Sequence, residues 1–457
     1  MRRLNQGLAF IVLLVLLVSG RASSFDVPAA APGRLIKWPT RNIQIALSTS
    51  LTAPSPAIKP GTDVLGALHR ALASWSRAAN ITFIETSSRL QSVSPAAAGD
   101  GVSLITVAGT GENLALFAEG TTTARTRVFY GPETGEIGEA DIVINPFPYG
   151  ADGAPLQFST DGSPGTYDLE STFAHEIGHL LGLNHSRVIG ATMQPTQALN
   201  GTYGSPATSE RSLSEVDRAA VAALYENREK SGTIEGRILF SSDGSLQSAS
   251  AAHVWIEDLD SGKVMASDVT TTGGRFGLYG IPPGNYRAMV EYLAGPTADP
   301  ETFSTAGERR PSLRLRAFRS LEIAGHLRVT TGKPTQLNYV LVPPQNSPPA
   351  LIPRFLGSNG ELSTAPVVAV PGQKFTLYLS GEGVDQIPGS GVVAGSPFIA
   401  VDASSLTLQQ FNSATPVISI DVTISANAVP GDYTIRLQSN SGEVAYLVGG
   451  ITINSTF

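Results

Sequence analysis

The sequence predicts an α+β domain, a mixed sheet with three helices, followed by two all-β sandwich domains. Three observations predict it. Residues 35–228 carry strand and helix periodicities in alternation. From Thr233 the apolar residues instead alternate in short runs between Gly, Ser and Asp turns, with no helix signal of any length. The run Pro343-Pro344-Gln345-Asn346-Ser347-Pro348-Pro349 is a stiff linker that divides this β-rich half into 233–343 and 350–457.

Composition bounds the answer further. At 457 residues, 42% hydrophobic and 15% charged, the chain can build several cores. Its net charge of −7 leaves no basic footprint, which argues against nucleic acid or an anionic membrane as the main partner. Arg2 and Arg3 precede the eleven-residue apolar run Leu8–Val18, and Gly20-Arg21-Ala22 offers a cleavage site. Residues 1–22 therefore read as an export signal too short to span a bilayer, and 23–34 as a short extended segment. After cleavage no transmembrane anchor is expected. Cysteine is absent, so a secreted form would have no disulfides, which leans towards a bacterial exoprotein.

Within 35–228 the elements follow in order. Ile43, Ile45 and Leu47 alternate as a strand. Thr62 or Asp63 can cap a helix whose stripe is Val64, Leu68, Ala71 and Trp75, widened by Leu65 and Leu72. His69 lies off that stripe and faces solvent. Strands follow at Ile81–Glu85 and Val102–Val107, then a Gly/Thr-rich connection over 108–125. Arg127–Tyr130 and Gly138–Asn145 supply two more strands, and 146–167 form a Pro/Gly/Asp-rich loop. Asp168 can cap a second helix with the stripe Leu169, Phe173, Ile177 and Leu181. Ser214 and Asp217 form a capping box for a third, with Val216, Ala220, Ala223 and Leu224 on its apolar face.

The chemistry is concentrated in His175-Glu176-Ile177-Gly178-His179-Leu180-Leu181-Gly182-Leu183-Asn184-His185, which holds three of the chain's six histidines. On a helix, His175 and His179 stand at i and i+4 and leave the same face. Gly182 can take the left-handed conformation that ends the helix, letting His185 return as a third ligand. Three neutral imidazoles leave one position of a tetrahedral zinc open for water. Glu176, beside the first ligand, can take a proton from that water. From the chain's own usage the five fixed positions would coincide about once in a hundred thousand such chains.

These eleven residues, with Ser186 and the later Met193, resemble the metzincin metalloproteases, and HEIGHLLGLNHS is most similar to the matrixin branch. The helix segment ALASWS (71–76) with ITF after it, the strand GEADIVIN and the approach Asp161-Gly162…Asp168-Leu169 are similar to bacterial matrixin-like proteins. The resemblance implies catalytic zinc on His175, His179 and His185, Glu176 as general base, and Met193 as the hydrophobic floor below the metal. Three departures stand out. No cysteine exists for the propeptide latency of vertebrate matrixins. Gln197 replaces the tyrosine four residues past the floor methionine, at the wall of the S1′ pocket. No histidine but His69 lies upstream for a structural zinc. Asp152, Asp161 or Asp168 could hold Ca²⁺, although turn and cap chemistry accounts for the same carboxylates and is favoured. Asp26 could reach the zinc as an inhibitory ligand, although an exposed terminal Asp is ordinarily just solvated.

Residues 233–343 resemble a carboxypeptidase-regulatory or Cna-B type sandwich, through GRFGLYGIPPGNYRAMVE, and 350–457 an immunoglobulin-like sandwich. The expectation is a secreted, extracellular zinc endopeptidase that takes a protein or peptide substrate along a sheet edge, with a cell-surface or matrix ligand for the sandwiches. The alternative is a non-enzymatic surface-binding or adhesion protein using the sandwiches on an inactive zinc-protease scaffold.

Overall fold

The structure is a computed structural model that describes residues 35–117, 122–150, 152–226, 230–242, 244–293, 317–411 and 413–454. The expected export signal, the segment 23–34 with Asp26, and the expected domain end at 228 lie outside the described residues.

The first domain is a five-stranded mixed sheet with helices. Its strands are β1 (Asn42–Ser48), β2 (Thr82–Ser88), β3 (Leu104–Thr106), β4 (Ala124–Tyr130) and β5 (Ile137–Ile144). Their order is β2-β1-β3-β5-β4; all neighbours are parallel except β4, which runs antiparallel to β5 at one edge. Ile43 and Ile45 of β1 are buried while Asn42 and Gln44 are exposed, as period-2 alternation requires. Helix α1 (Val64–Ala79) is capped by Asp63, whose side chain accepts from the Gly66 N–H, and buries Leu68, Ala71, Leu72 and Trp75. His69 is exposed and pairs with Glu85 at 2.9 Å.

The three expected helices are joined by one that was not expected. Helix α2 (Gly111–Ala115) lies in what reads as a connection over 108–125. Five residues are too short to show a 3.6-residue period. What holds the turn is polar: Thr110 accepts from the Asn113 N–H, and the buried Asn113 amide donates to the carbonyls of Gln91 and Ala108. Two short strands, β6 (Phe158–Ser159) and β7 (Tyr167–Asp168), lead into α3 (Leu169–Leu180), and α4 (Glu215–Tyr225) ends the domain.

The second region is two facing sheets. It contains β8 (Gly232–Ser242), β9 (Ser245–Ser248), β10 (Ala252–Asp258), β11 (Val264–Val269), β12 (Arg275–Ile281), β13 (Gly284–Tyr292), β14 (Leu321–Val329), β15 (Pro334–Gln336) and β16 (Val340–Leu341). One sheet is β11-β10-β13-β14; in the other, β8 pairs with β9, β12, β15 and β16. The third region contains β17 (Ile352–Gly357), β18 (Val367–Ala369), β19 (Lys374–Glu382), β20 (Val392–Ala394), β21 (Ile399–Gln409), β22 (Val417–Ile424), β23 (Gly431–Gln438) and β24 (Val444–Ile453). Its sheets are β17-β19-β22-β21 and β18-β24-β23-β20. Among the described residues, no helix is long and apolar enough to cross a membrane.

The three regions share apolar cores. Ala219 of α4 belongs to the core of the second region, and a Cβ on Gly280 of β12 would stand 2.3 Å from the Ala219 carbonyl oxygen. Only glycine allows that approach. A further cluster joins Val188, Ala191 and Val216 of the first domain to Trp255, Val264 and Met289 of the second and Tyr446 and Val448 of the third.

Where the first and third regions meet, burial pushes the Asp432 carboxyl up to about 7, against the hydrogen bond it accepts from Thr452. Such a carboxyl stays protonated in the folded chain over a range where the unfolded chain has lost the proton. Stability from this group therefore falls as pH rises from about 4 through about 7. In chemical denaturation the stability of Asp432→Asn relative to the parent should rise by at least about 1 kcal/mol between about pH 5 and about pH 8. An unchanged difference between the two would refute the burial argument.

Candidate metal centre

Helix α3 begins at Asp168, whose side chain accepts from the Ser171 N–H. The same buried carboxylate takes both Nε (2.9 Å) and Nη2 (2.5 Å) of Arg211, a two-pronged ion pair. At the other end the helix closes with a Schellman motif: the Leu183 N–H donates to Gly178 O and the Gly182 N–H to His179 O, with Gly182 at φ +94°. A Cβ at Gly182 would lie 2.2 Å from the Ile36 carbonyl oxygen, so the turn needs glycine twice over. The last carbonyls of α3 are taken by side chains from afar: Trp38 Nε1 donates to Leu180 O at 2.9 Å and the Tyr225 hydroxyl to Leu181 O at 2.7 Å.

This frame brings His175, His179 and His185 together. Nε2 of His179 lies 3.1 Å from Nε2 of His175 and 3.2 Å from Nε2 of His185, and the three ligand atoms fall within 4.8 Å of one another. Nδ1 of His175 meets Thr192 O at 2.8 Å, and Nδ1 of His179 meets Leu183 O at 2.8 Å. A carbonyl can only accept, so each of these Nδ1 atoms carries the proton and each Nε2 presents a lone pair. Burial lowers His175 to about 4, against the Thr192 carbonyl, and lowers His179 to about 3, helped by His175 and opposed by the Leu183 carbonyl. Both rings are neutral at neutral pH. Lone pairs facing one another across this distance repel unless a cation sits between them. Zinc–nitrogen bonds of about 2.0–2.1 Å in a tetrahedron place the nitrogens about 3.3–3.4 Å apart, so the donor set fits zinc in type and spacing.

Glu176 is buried beside this group. Its Oε2 accepts from the Thr126 hydroxyl of the edge strand β4 at 2.5 Å. Burial pushes its carboxyl up to about 7, against that hydrogen bond and the nearby Arg125. Met193 is buried under α3: a Cβ on Gly178 would stand 2.2 Å from Met193 Sδ and 2.9 Å from the Trp75 ring. The absence of a side chain at Gly178 is what admits both to the helix. The turn around Met193 is held by Asp217 of α4, whose two carboxylate oxygens accept the Thr192 N–H at 2.7 Å and the Met193 N–H at 3.2 Å. Gln197 accepts from the Thr172 hydroxyl and donates to Asp168 O, both at 2.8 Å.

Asp217 and Thr126 were not legible as site residues. The capping box of Ser214 and Asp217 is present, but nothing local in sequence shows that the same carboxylate reaches back 25 residues. Thr126 falls between the connection read over 108–125 and the strand read at Arg127–Tyr130, whereas β4 starts at Ala124. Of the three carboxylates considered for Ca²⁺, Asp152 accepts the Ala154 N–H in a turn, Asp161 pairs with Lys59 at 2.6 Å, and Asp168 caps α3.

Residues 37–226 match the family model described as matrixin. The matrixin match supports a matrixin-like metalloprotease domain, and the family implies zinc, which the histidine triad fits. No curated protein matches the chain. Among solved structures, the major pilin subunit BcpA of Bacillus cereus aligns at 10% identity over 48% of this chain and 67% of that one, with a TM-score of 0.18. The RrgB pilus protein of Streptococcus pneumoniae aligns at 8% over 47% and 48%, TM-score 0.18. A putative carbohydrate binding protein from Bacteroides uniformis aligns at 14% over 47% and 94%, TM-score 0.16. Alignments at these TM-scores carry no argument about this chain.

The purified chain should retain about one zinc through dialysis, and chelation should lower its melting temperature, since metal bound only by the folded state stabilises it. His179→Ala should retain much less zinc and lose the chelator response. Metal analysis with paired thermal scans reads both; an unaltered zinc content in His179→Ala would exclude this ligand set.

Proposed function

We propose that the chain is a secreted zinc endopeptidase, with His175, His179 and His185 as metal ligands and Glu176 as general base. One observation carries the reading: three imidazole Nε2 atoms converge beside a buried carboxylate held by the edge strand. The ligands alone would suit an inert scaffold; a buried carboxylate kept near neutrality beside them suits proton transfer.

Bound zinc would supply Lewis-acid polarisation of the scissile carbonyl and a lowered pKa for the attacking water. The residues do the rest. Glu176 takes the proton from that water and later gives it to the leaving amine. Thr126 fixes the carboxylate from β4. Among the described residues β4 pairs with β5 and ends the sheet, so its outer side can hold an extended peptide by main-chain hydrogen bonds. Met193, under the helix, keeps the metal side dry and apolar. The export signal at 1–22 supports an extracellular setting, and the cysteine-free sequence a bacterial source.

Glu176→Ala should keep its zinc and cleave casein about 10²–10⁴-fold more slowly than the parent. Wild-type turnover in that variant would sink the mechanism. A parent chain that binds zinc and cleaves nothing would favour the alternative, a surface-binding protein on an inactive scaffold.

A further inference from the structure

The segment after Met193 has one end on the catalytic helix and the other inside the third region. Gln197 binds Thr172, which stands four residues before Glu176 on the same face of α3. Gln197 is therefore tied to α3 one helical turn before Glu176. Six residues beyond Gln197, Tyr203 belongs to the hydrophobic core of the third region, packed with Leu356, Val367 and their neighbours.

Tyr203 is bound there by every polar group it has. Its N–H donates to Glu361 Oε2 at 2.6 Å, and its carbonyl accepts from Asn359 Nδ2 at 2.6 Å. Its hydroxyl lies 2.8 Å from Leu356 O and 3.0 Å from Ala365 O. The Thr196 and Thr364 hydroxyls meet at 3.2 Å. Tyr203 also sits at φ +59°, ψ +20°, a left-handed conformation that is unfavourable for an aromatic residue. Such strain persists only where the surroundings over-determine it, and it collects at functional sites. Here the third region over-determines it: a turn at Ser358–Glu361 grips the backbone on both sides and the core takes the ring.

We infer that the third region is part of the protease's substrate cleft wall: it clamps the segment 194–207 through Tyr203 and thereby sets which peptides the site accepts. Tyr203 is a positioning residue, acting through Gln197 and the chain between them. The inference rests on the zinc endopeptidase reading. It makes the terminal sandwich a determinant of specificity, where a separate targeting module would leave the cleft unchanged.

The test uses the full chain. Asn359→Ala with Glu361→Ala removes both backbone grips and leaves the ligands, Glu176 and Tyr203 untouched. Hydrogen exchange over 194–207 should rise, and the ratio of kcat/KM between the best and poorer members of a peptide library should shift by at least about fivefold. The shift should lie mainly in KM, with zinc content unchanged. Asn359→Ala with Glu361→Gln keeps one acceptor for the Tyr203 N–H and should recover part of the parent preference. Tyr203→Phe, which loses only the hydroxyl contacts, gives a second and milder perturbation in the same direction. Unchanged exchange, unchanged preference, or a uniform loss over all peptides in step with zinc loss would each overturn the inference. Failure of the parent chain to cleave any peptide overturns the endopeptidase reading itself, and this inference with it, before any variant is made.

Discussion

Nε2 of His179 stands 3.1–3.2 Å from Nε2 of both His175 and His185, and the rest of the first domain serves that contact. Two of the rings are locked in one tautomer by backbone carbonyls, one in the turn after α3 and one in the turn at Met193. The first of these turns depends on Gly182, which no residue with a Cβ could replace against the Ile36 carbonyl. The second depends on Asp217, which holds two consecutive N–H groups from the start of α4. Hydrogen bonds on the far sides of His175 and His179 thus fix both rings, and a cation would give the facing nitrogens a common partner.

Much of this was legible in sequence, and for stated reasons. The α1 stripe and the α3 motif repeat at helical spacing over several turns, so periodicity exposes them. The Asp63 and Asp168 caps and the Ser214–Asp217 box are local rules, with partner and cap within three residues. Strand alternation marked the β-rich half. Helix α2 was missed because a single turn has no period. The supports of the site were missed because they act across sequence: Trp38 reaches Leu180 over 142 residues, Tyr225 reaches Leu181 over 44, and Thr126 reaches Glu176 over 50. The fit of Met193 against Gly178 has the same character, since nothing near Gly178 in sequence says what fills the space it leaves.

The largest departure from a sequence-level picture of three beads on a string is the sharing of cores. The change of periodicity at Thr233 and the proline-rich run 343–349 suggest separate domains. The structure instead gives α4 a buried face in the second region and joins all three regions in one apolar cluster around Trp255 and Tyr446. Clusters of that kind hold regions in a fixed relation, because separating them would return large apolar side chains to water. That fixed relation is what lets a turn in the third region act on the wall of a site in the first.

In the proposed site the three nitrogens act as one ligand set. X-ray absorption on the zinc-loaded full chain tests this most directly. It should show a four-coordinate zinc with three imidazole nitrogens at about 2.0–2.1 Å and one further light atom at similar distance. Zinc with fewer than three imidazoles, or a chain that takes up no zinc at all, would contradict the account.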